Sequence, residues 1–180
     1  MKLLIASDIH GSAYYAQLLA RRADEEKPDG ILLLGDYLYH GPRNGMPRDY
    51  DPVKTAGILN GLAPRPLCIR GNCDSEVDQL MIDYPILAEF AAFYADGRRM
   101  YLTHGHHMDA ACAAVGRGDV ILYGHTHLPD FTERDGVVRV NPGSVTFPKE
   151  DTPHSCLRYE NGVFSWLRVE SGEVWRQEKL

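Results

Sequence analysis

The chain predicts an α/β fold of two packed sheets flanked by helices, on three observations. Apolar runs of strand length recur, each followed at once by a cluster of polar residues. Helical patterns separate the early runs, and the dipeptides Asp135-Gly136 and Asn161-Gly162 separate late ones. Uninterrupted apolar runs bounded by turn residues read as strands buried on both faces. Strands alternating with helices give an α/β architecture, while Asp-Gly and Asn-Gly between strand-like runs make tight hairpins.

Taken in order, LLIAS is the first strand and leads into Asp8-Ile9-His10-Gly11. Ser12 is placed to cap a helix over Ala13–Ala23, which is rich in Ala and Leu. ILLLG leads into Asp36, and the stretch Tyr37–Asp51 follows, long, polar and rich in Gly and Pro, carrying Arg43, Asn44 and Arg48. A loop of that length in a compact domain is commonly functional. Pro52 opens a second helix, to Leu62, at a position where its missing N–H costs nothing. PLCIR runs into Gly71-Asn72-Cys73-Asp74, MYLT into His104-Gly105-His106, and VILYG into His125-Thr126-His127. FTER and VVRV flank Asp135-Gly136, and VVRV ends on Asn141-Pro142-Gly143-Ser144, a composition that speaks first of turn geometry. CLRYE and VFSWLRV flank Asn161-Gly162. The second half is therefore expected to be mostly antiparallel.

A length of 180 residues suits one domain, 1–180, with a real core. The formal net charge of -6 excludes a general nucleic-acid coat protein, which needs Lys and Arg to neutralise phosphates. A small anionic substrate stays compatible, because metal ions supply local positive charge. No apolar run approaches the roughly 20 residues that span a bilayer, so no membrane partner is expected. In MKLLIASDIHG no small-residue cleavage region appears before Asp8 and His10. Cys68, Cys73, Cys112 and Cys156 are scattered without a CxxC pair, which points to a reducing, cytoplasmic compartment.

Ligands of open α/β sheets bind at the carboxyl ends of strands. Those ends here carry Asp8, His10, Asp36, Asn72, His104, His125 and His127. Carboxylate, imidazole and amide oxygen together suit a borderline first-row metal such as Mn, Fe or Zn, and the lack of a thiolate cluster argues against structural zinc. Extended residues two apart share a face, which puts Asp8 with His10 and His125 with His127. The two oxygens of Asp36 suit a bridge between cations about 3.5–4 Å apart, a spacing that clamps a phosphoryl group and activates hydroxide.

The ordered set Asp8-Ile9-His10, Gly35-Asp36, Gly71-Asn72-Cys73-Asp74, His104-Gly105-His106 and Gly124-His125-Thr126-His127 resembles the calcineurin-like metallophosphoesterases. The stretches HGPRN from His40 and RGNCDSEVDQ from Arg70 resemble its YfcE-type phosphodiesterase subgroup. The resemblance implies a four-layer αββα sandwich of two mixed sheets. It implies one metal on Asp8, His10, Asp36 and His127 and a second on Asp36, Asn72, His104 and His125. Mn is the implied choice, with Fe, Zn or Ni as alternatives. It further implies hydrolysis of small phosphodiesters by a hydroxide activated between the metals.

Plainer readings stand beside these. Asp8 and Asp36 also suit helix caps, and Asn72 a left-handed turn. Asp74 is expected to orient a neighbour such as His104. His106 reads either as a contact to a metal ligand or to the substrate phosphate, or as structural. Arg43, in the long loop, reads as an anion contact. Cys73 stands where the wider family often has a His that protonates the leaving group. A thiol, with an ordinary pKa of about 8.5, is a poor substitute, so it reads as a spacer or phosphate contact and favours substrates with good leaving groups. Roles for His40, Arg70, His107 and His154, and a homo-oligomer, are left open. The rivals are a non-catalytic scaffold on the same fold, related to a trafficking-complex subunit, and a phosphomonoesterase or protein phosphatase. The intact ligand set argues against the first. The short chain, without a peptide-binding insertion, argues against a protein phosphatase.

Overall fold

The computed structural model describes all of residues 1–180. In chain order it contains β1 (Lys2–Ala6), α1 (Ala13–Glu26), β2 (Gly30–Leu33), α2 (Pro52–Asn60), β3 (Leu67–Cys68), α3 (Glu76–Gln79), β4 (Phe90–Ala95), β5 (Arg98–Thr103), α4 (Met108–Ala114), β6 (Val120–Leu122), β7 (Pro129–Arg134), β8 (Val137–Pro142), β9 (Ser155–Glu160), β10 (Val163–Arg168) and β11 (Val174–Lys179). One sheet has the order β11-β10-β9-β1-β2-β3 and the other β4-β5-β6-β8-β7.

The first apolar runs are continuous because both their faces are covered. In β1, Leu4 and Ala6 join the core beneath α1 and α2, while Leu3 and Ile5 join the core between the sheets. In β2 and the residue after it, Ile31 and Leu33 face the helices, and Leu32 and Leu34 the other sheet. Parallel pairing of β1 with β2 and of β2 with β3 needs crossovers, which α1 and α2 supply. Ser12 caps α1 by accepting from Tyr15 N at 3.3 Å, and Asp51 caps α2 by accepting from Lys54 N at 2.9 Å. Asp8 and Asp36 are thus not the caps. The helix α1 runs on to Glu26, past Ala23, and α2 stops at Asn60, short of Leu62.

The second half is more mixed than the turn signals predict. The hairpins β7–β8 and β9–β10 form around Asp135-Gly136 and Asn161-Gly162. However, β5, β6 and β8 pair parallel at the centre of their sheet. Carboxyl ends of parallel strands from both sheets therefore meet at one edge of the molecule. The outer face of the second sheet carries only the short α4, which buries Ala111. Trp166, from β10, is fully buried and donates from Nε1 to Asn141 O at 2.8 Å, tying the two sheets together just below that edge. No helix is long and apolar enough to cross a membrane, and all four cysteines are free.

Candidate metal centre

At the shared edge, backbone conformation sets the aim of each side chain. Asp8 (φ 61°), His10 (φ 52°), Asp36 (φ 58°), His125 (φ 65°) and His127 (φ 63°) all adopt the left-handed region. Extended geometry is therefore not what brings Asp8 to His10 or His125 to His127. Alternation of left-handed residues around Ile9 and Thr126 does so instead. Each such non-glycine residue costs on the order of 1–3 kcal/mol and persists only where the surroundings over-determine it. Here they do. Ile9 N and His10 N both donate to Asp36 O at 2.9 Å. Ser144 Oγ donates to Asp8 O at 3.0 Å, and Thr146 Oγ1 to Ile9 O at 2.7 Å. Asn141 Nδ2 donates to Gly124 O at 2.8 Å. Close approach requires Gly71 and Gly124: a Cβ on the first would overlap Asp36 Oδ1, and on the second Ser7 Oγ.

The side chains then converge. His10 Nδ1 lies 2.8 Å from Tyr39 O, His104 Nδ1 2.6 Å from Leu34 O and His127 Nδ1 2.7 Å from Phe147 O. A carbonyl only accepts, so each Nδ1 carries a proton, and each Nε2 is the nitrogen turned inward, where losing its proton would leave a lone pair for a cation. His10 Nε2 and His127 Nε2 are 3.3 Å apart. Asp8 Oδ1 lies 3.2 Å from His127 Nε2 and 3.8 Å from His10 Nε2, buried and with no hydrogen-bond donor aligned to it. Asp36 Oδ2 sits centrally, 3.7 Å from His10 Nε2 and 3.5 Å from His104 Nε2. Asn72 Oδ1 is 3.1 Å from His104 Nε2. Three tight groups result, Asp8–His10–His127, Asp8–Asp36–His104 and His10–Asp36–Cys73. His125 stands beside the second, its ring 5.1 Å from that of His104, and its N–H donates to Asp8 Oδ2 at 3.1 Å.

Lone pairs and carboxylates so close repel unless a positive charge lies among them. In the metal-free chain, protons provide it. Burial pushes the His104 imidazole down, but the Asp36 hydrogen bond and the Asp8 and Asp36 charges outweigh it, and its pKa is pushed up to about 9. Burial pushes the Asp8 carboxyl up, yet the His127 contact and the charges of His104, His127 and His10 hold it below the usual range. For His10 and His125 burial prevails, and both are lowered. Oxygen and imidazole donors around buried anionic charge fit divalent first-row cations.

A cavity of about 540 Å³ opens above these groups, lined also by Arg43, Asn44, Cys73 and Lys149. Arg43 and Lys149 are exposed at its rim. Burial and the Asp36 carboxylate push the Cys73 thiol well above its usual range. Two sequence expectations change. Asp74 does not orient His104: its carboxylate accepts from Asp36 N, Tyr37 N and Gly71 N at 2.8, 2.8 and 2.6 Å. The loop starting at Tyr37 is not polar throughout, since Tyr37 and Leu38 are core residues. His106 lines a neighbouring groove rather than this cavity, although its ring is 5.4 Å from that of His104. Arg70 points away, to Asp74 O and Glu89. His154 bonds Tyr15 Oη at 2.8 Å. Lys149, Ser144 and Thr146 were missed. The only signal for Ser144 lay in the segment from Asn141 to Ser144, which reads as a turn, and Thr146 lies just beyond it.

Comparison with known proteins agrees with this geometry. A calcineurin-like phosphoesterase superfamily domain matches residues 1–161. The chain is 39% identical to phosphodiesterase YfcE of Escherichia coli over 178 residues, covering 98% of this chain and 97% of the other. It is 40% identical over 151 residues to a phosphodiesterase of Methanocaldococcus jannaschii, covering 79% and 83%. The solved structure of Yfce, a phosphoesterase from E. coli, superposes with a TM-score of 0.91 at 37% identity, covering 99% of each chain. Vacuolar Protein Sorting 29 from Cryptosporidium parvum shares the fold at TM-score 0.62 and 16% identity, covering 99% and 98%.

Proposed function

The chain belongs to the calcineurin-like phosphoesterase superfamily, and from that premise we propose that it hydrolyses small phosphodiesters with two divalent cations, Mn foremost. Asp8, His10, Asp36 and His127 would hold one cation, and Asp36, Asn72, His104 and His125 the other. Bound there, the pair supplies Lewis acidity toward phosphoryl oxygens and activated water at neutral pH. The chain's own residues do the rest. The carbonyls of Tyr39, Leu34 and Phe147 fix three imidazoles with Nε2 inward. Arg43 and Lys149, at the cavity rim, meet the diester's negative charge. Cys73 stays a neutral thiol beside Asp36, so no imidazolium acid stands at that position and good leaving groups are preferred.

The observation that carries this reading is the convergence of inward-facing Nε2 atoms on Asp8 and Asp36, 3.3 Å apart for His10 and His127. The rival scaffold role draws on a likeness of fold alone, and this chain keeps the whole donor set. The test is metal analysis with a panel of phosphomonoesters and phosphodiesters under added Mn. Two ions per chain and faster turnover of diesters are expected. Monoester preference would reassign the substrate class, and no hydrolysis with two ions bound would overturn the enzyme reading.

A further inference from the structure

Outside the cavity, one other group of donor atoms converges. Glu89, just before β4, meets His106 and His107, between β5 and α4, and one donor atom from each lies within 4.8 Å of the other two. All three line a separate groove of about 690 Å³. Two imidazoles and a carboxylate make a three-ligand set that leaves a fourth position open. A second observation points the same way. His106 Nδ1 is buried without a hydrogen-bond partner, whereas the Nδ1 atoms of His10, His104 and His127 are each fixed by a carbonyl. A buried imidazole nitrogen left unpaired is costly, and with no carbonyl holding its proton, either nitrogen of the ring can be the one that carries the lone pair. The His106 and His107 rings lie 4.1 Å apart at 44°, so the two imidazoles already stand together. The competing charge is Arg70, whose Nη1 is 3.4 Å from Glu89 Oε1 in an exposed pair, a kind of contact that contributes little.

We propose that Glu89, His106 and His107 form a third, peripheral cation site, selective for a zinc-class ion over Mn because two of its three donors are imidazoles. Being open and three-liganded, it fills after the buried centre. Its charge then sits beside His104 and His125, whose rings are 5.4 and 6.1 Å from that of His106, so excess zinc depresses turnover.

The experiment compares the wild-type chain with Glu89→Gln and His107→Ala, equilibrated with buffered free Zn(II) and counted by mass spectrometry of the metal. Co(II) visible spectra provide a second readout. At the free zinc that just fills the wild-type site, the wild type should hold more ions per chain than either variant, the difference approaching one, because affinity at that site falls at least about tenfold on loss of a ligand. Only the difference between chains is read, so the result stands whatever the central site holds. Equal thermal midpoints of the metal-free chains show that the variants fold. Equal ion counts with superposable Co(II) spectra in all three chains would overturn the proposal.

Discussion

Asp36 and Arg43 line the same cavity from one stretch of chain, yet they are held in opposite ways. Asp36 is 2% exposed, its main-chain N–H and C=O and its Oδ1 all hydrogen-bonded to other segments. Arg43 is exposed, and its guanidinium makes no hydrogen bond or ion pair. The same contrast separates Asp8, His10, His104 and His127 on the floor from Lys149 at the rim. Rigidity is spent where charge must be placed to a fraction of an ångström, and freedom is left where substrates of differing shape must be met. On the proposed function, the floor would set the reaction and the rim the substrate.

The comparison breaks most readily at Asp36. Asp36→Asn keeps the volume but removes charge between the two groups. Losing the several kcal/mol of Lewis-acid stabilisation corresponds to about 10³-fold in kcat/KM. Far-UV circular dichroism should be unchanged and metal content reduced. Near-normal turnover at saturating Mn would show that the floor does not depend on this bridge. Next comes Ser144→Ala, which removes the hydroxyl that donates to Asp8 O and accepts from Thr146 N and Phe147 N. Supports of this kind are worth about 10–100-fold in metal affinity or activity. Titration with Mn should locate the loss in metal affinity, with kcat largely restored at saturation.

Smaller effects should arise from the wall and rim. Cys73→His should raise kcat/KM for alkyl esters over activated aryl esters by about tenfold, a fraction of what a positioned general acid supplies. Equal ratios at unchanged metal content would mean that position 73 is not the missing acid. Arg43→Ala and Lys149→Ala should each raise KM by about fivefold, the worth of an exposed charge contact near 1 kcal/mol, and leave kcat nearly unchanged. A fall in kcat to match Asp36→Asn would erase the distinction between floor and rim.

What the sequence made legible follows from burial. The runs of β1 and β2 are apolar throughout because both faces are covered, so they stand out. The edge strands β4 and β11 do not: the first alternates partly buried with exposed residues, and the second reads VWRQEK. The residues that converge at the shared edge were legible because carboxylate and imidazole gathered at strand ends stand out in the sequence. Their left-handed backbone was not, and neither were the carbonyls of Tyr39, Leu34 and Phe147, which any residue type could have supplied. His106 lines the neighbouring groove for a local reason. Gly105 turns the chain with φ 108°, so neighbours on either side of it face different spaces.

The bond between His104 Nδ1 and Leu34 O joins the end of one sheet to the end of the other, as does that between His125 N and Asp8 Oδ2. Asp8, His10, Asp36 and Asn72 follow strands of one sheet, and His104, His125 and His127 follow strands of the other. A cation held between them would therefore act as a rivet across the sandwich. Its departure would loosen both sheets together, because the residues that would hold it come from both. Amide hydrogen exchange at the ends of β1 and β6 should then quicken as one cooperative unit when metal is withdrawn, so that occupancy of the centre registers as a change in the breathing of the whole sandwich edge.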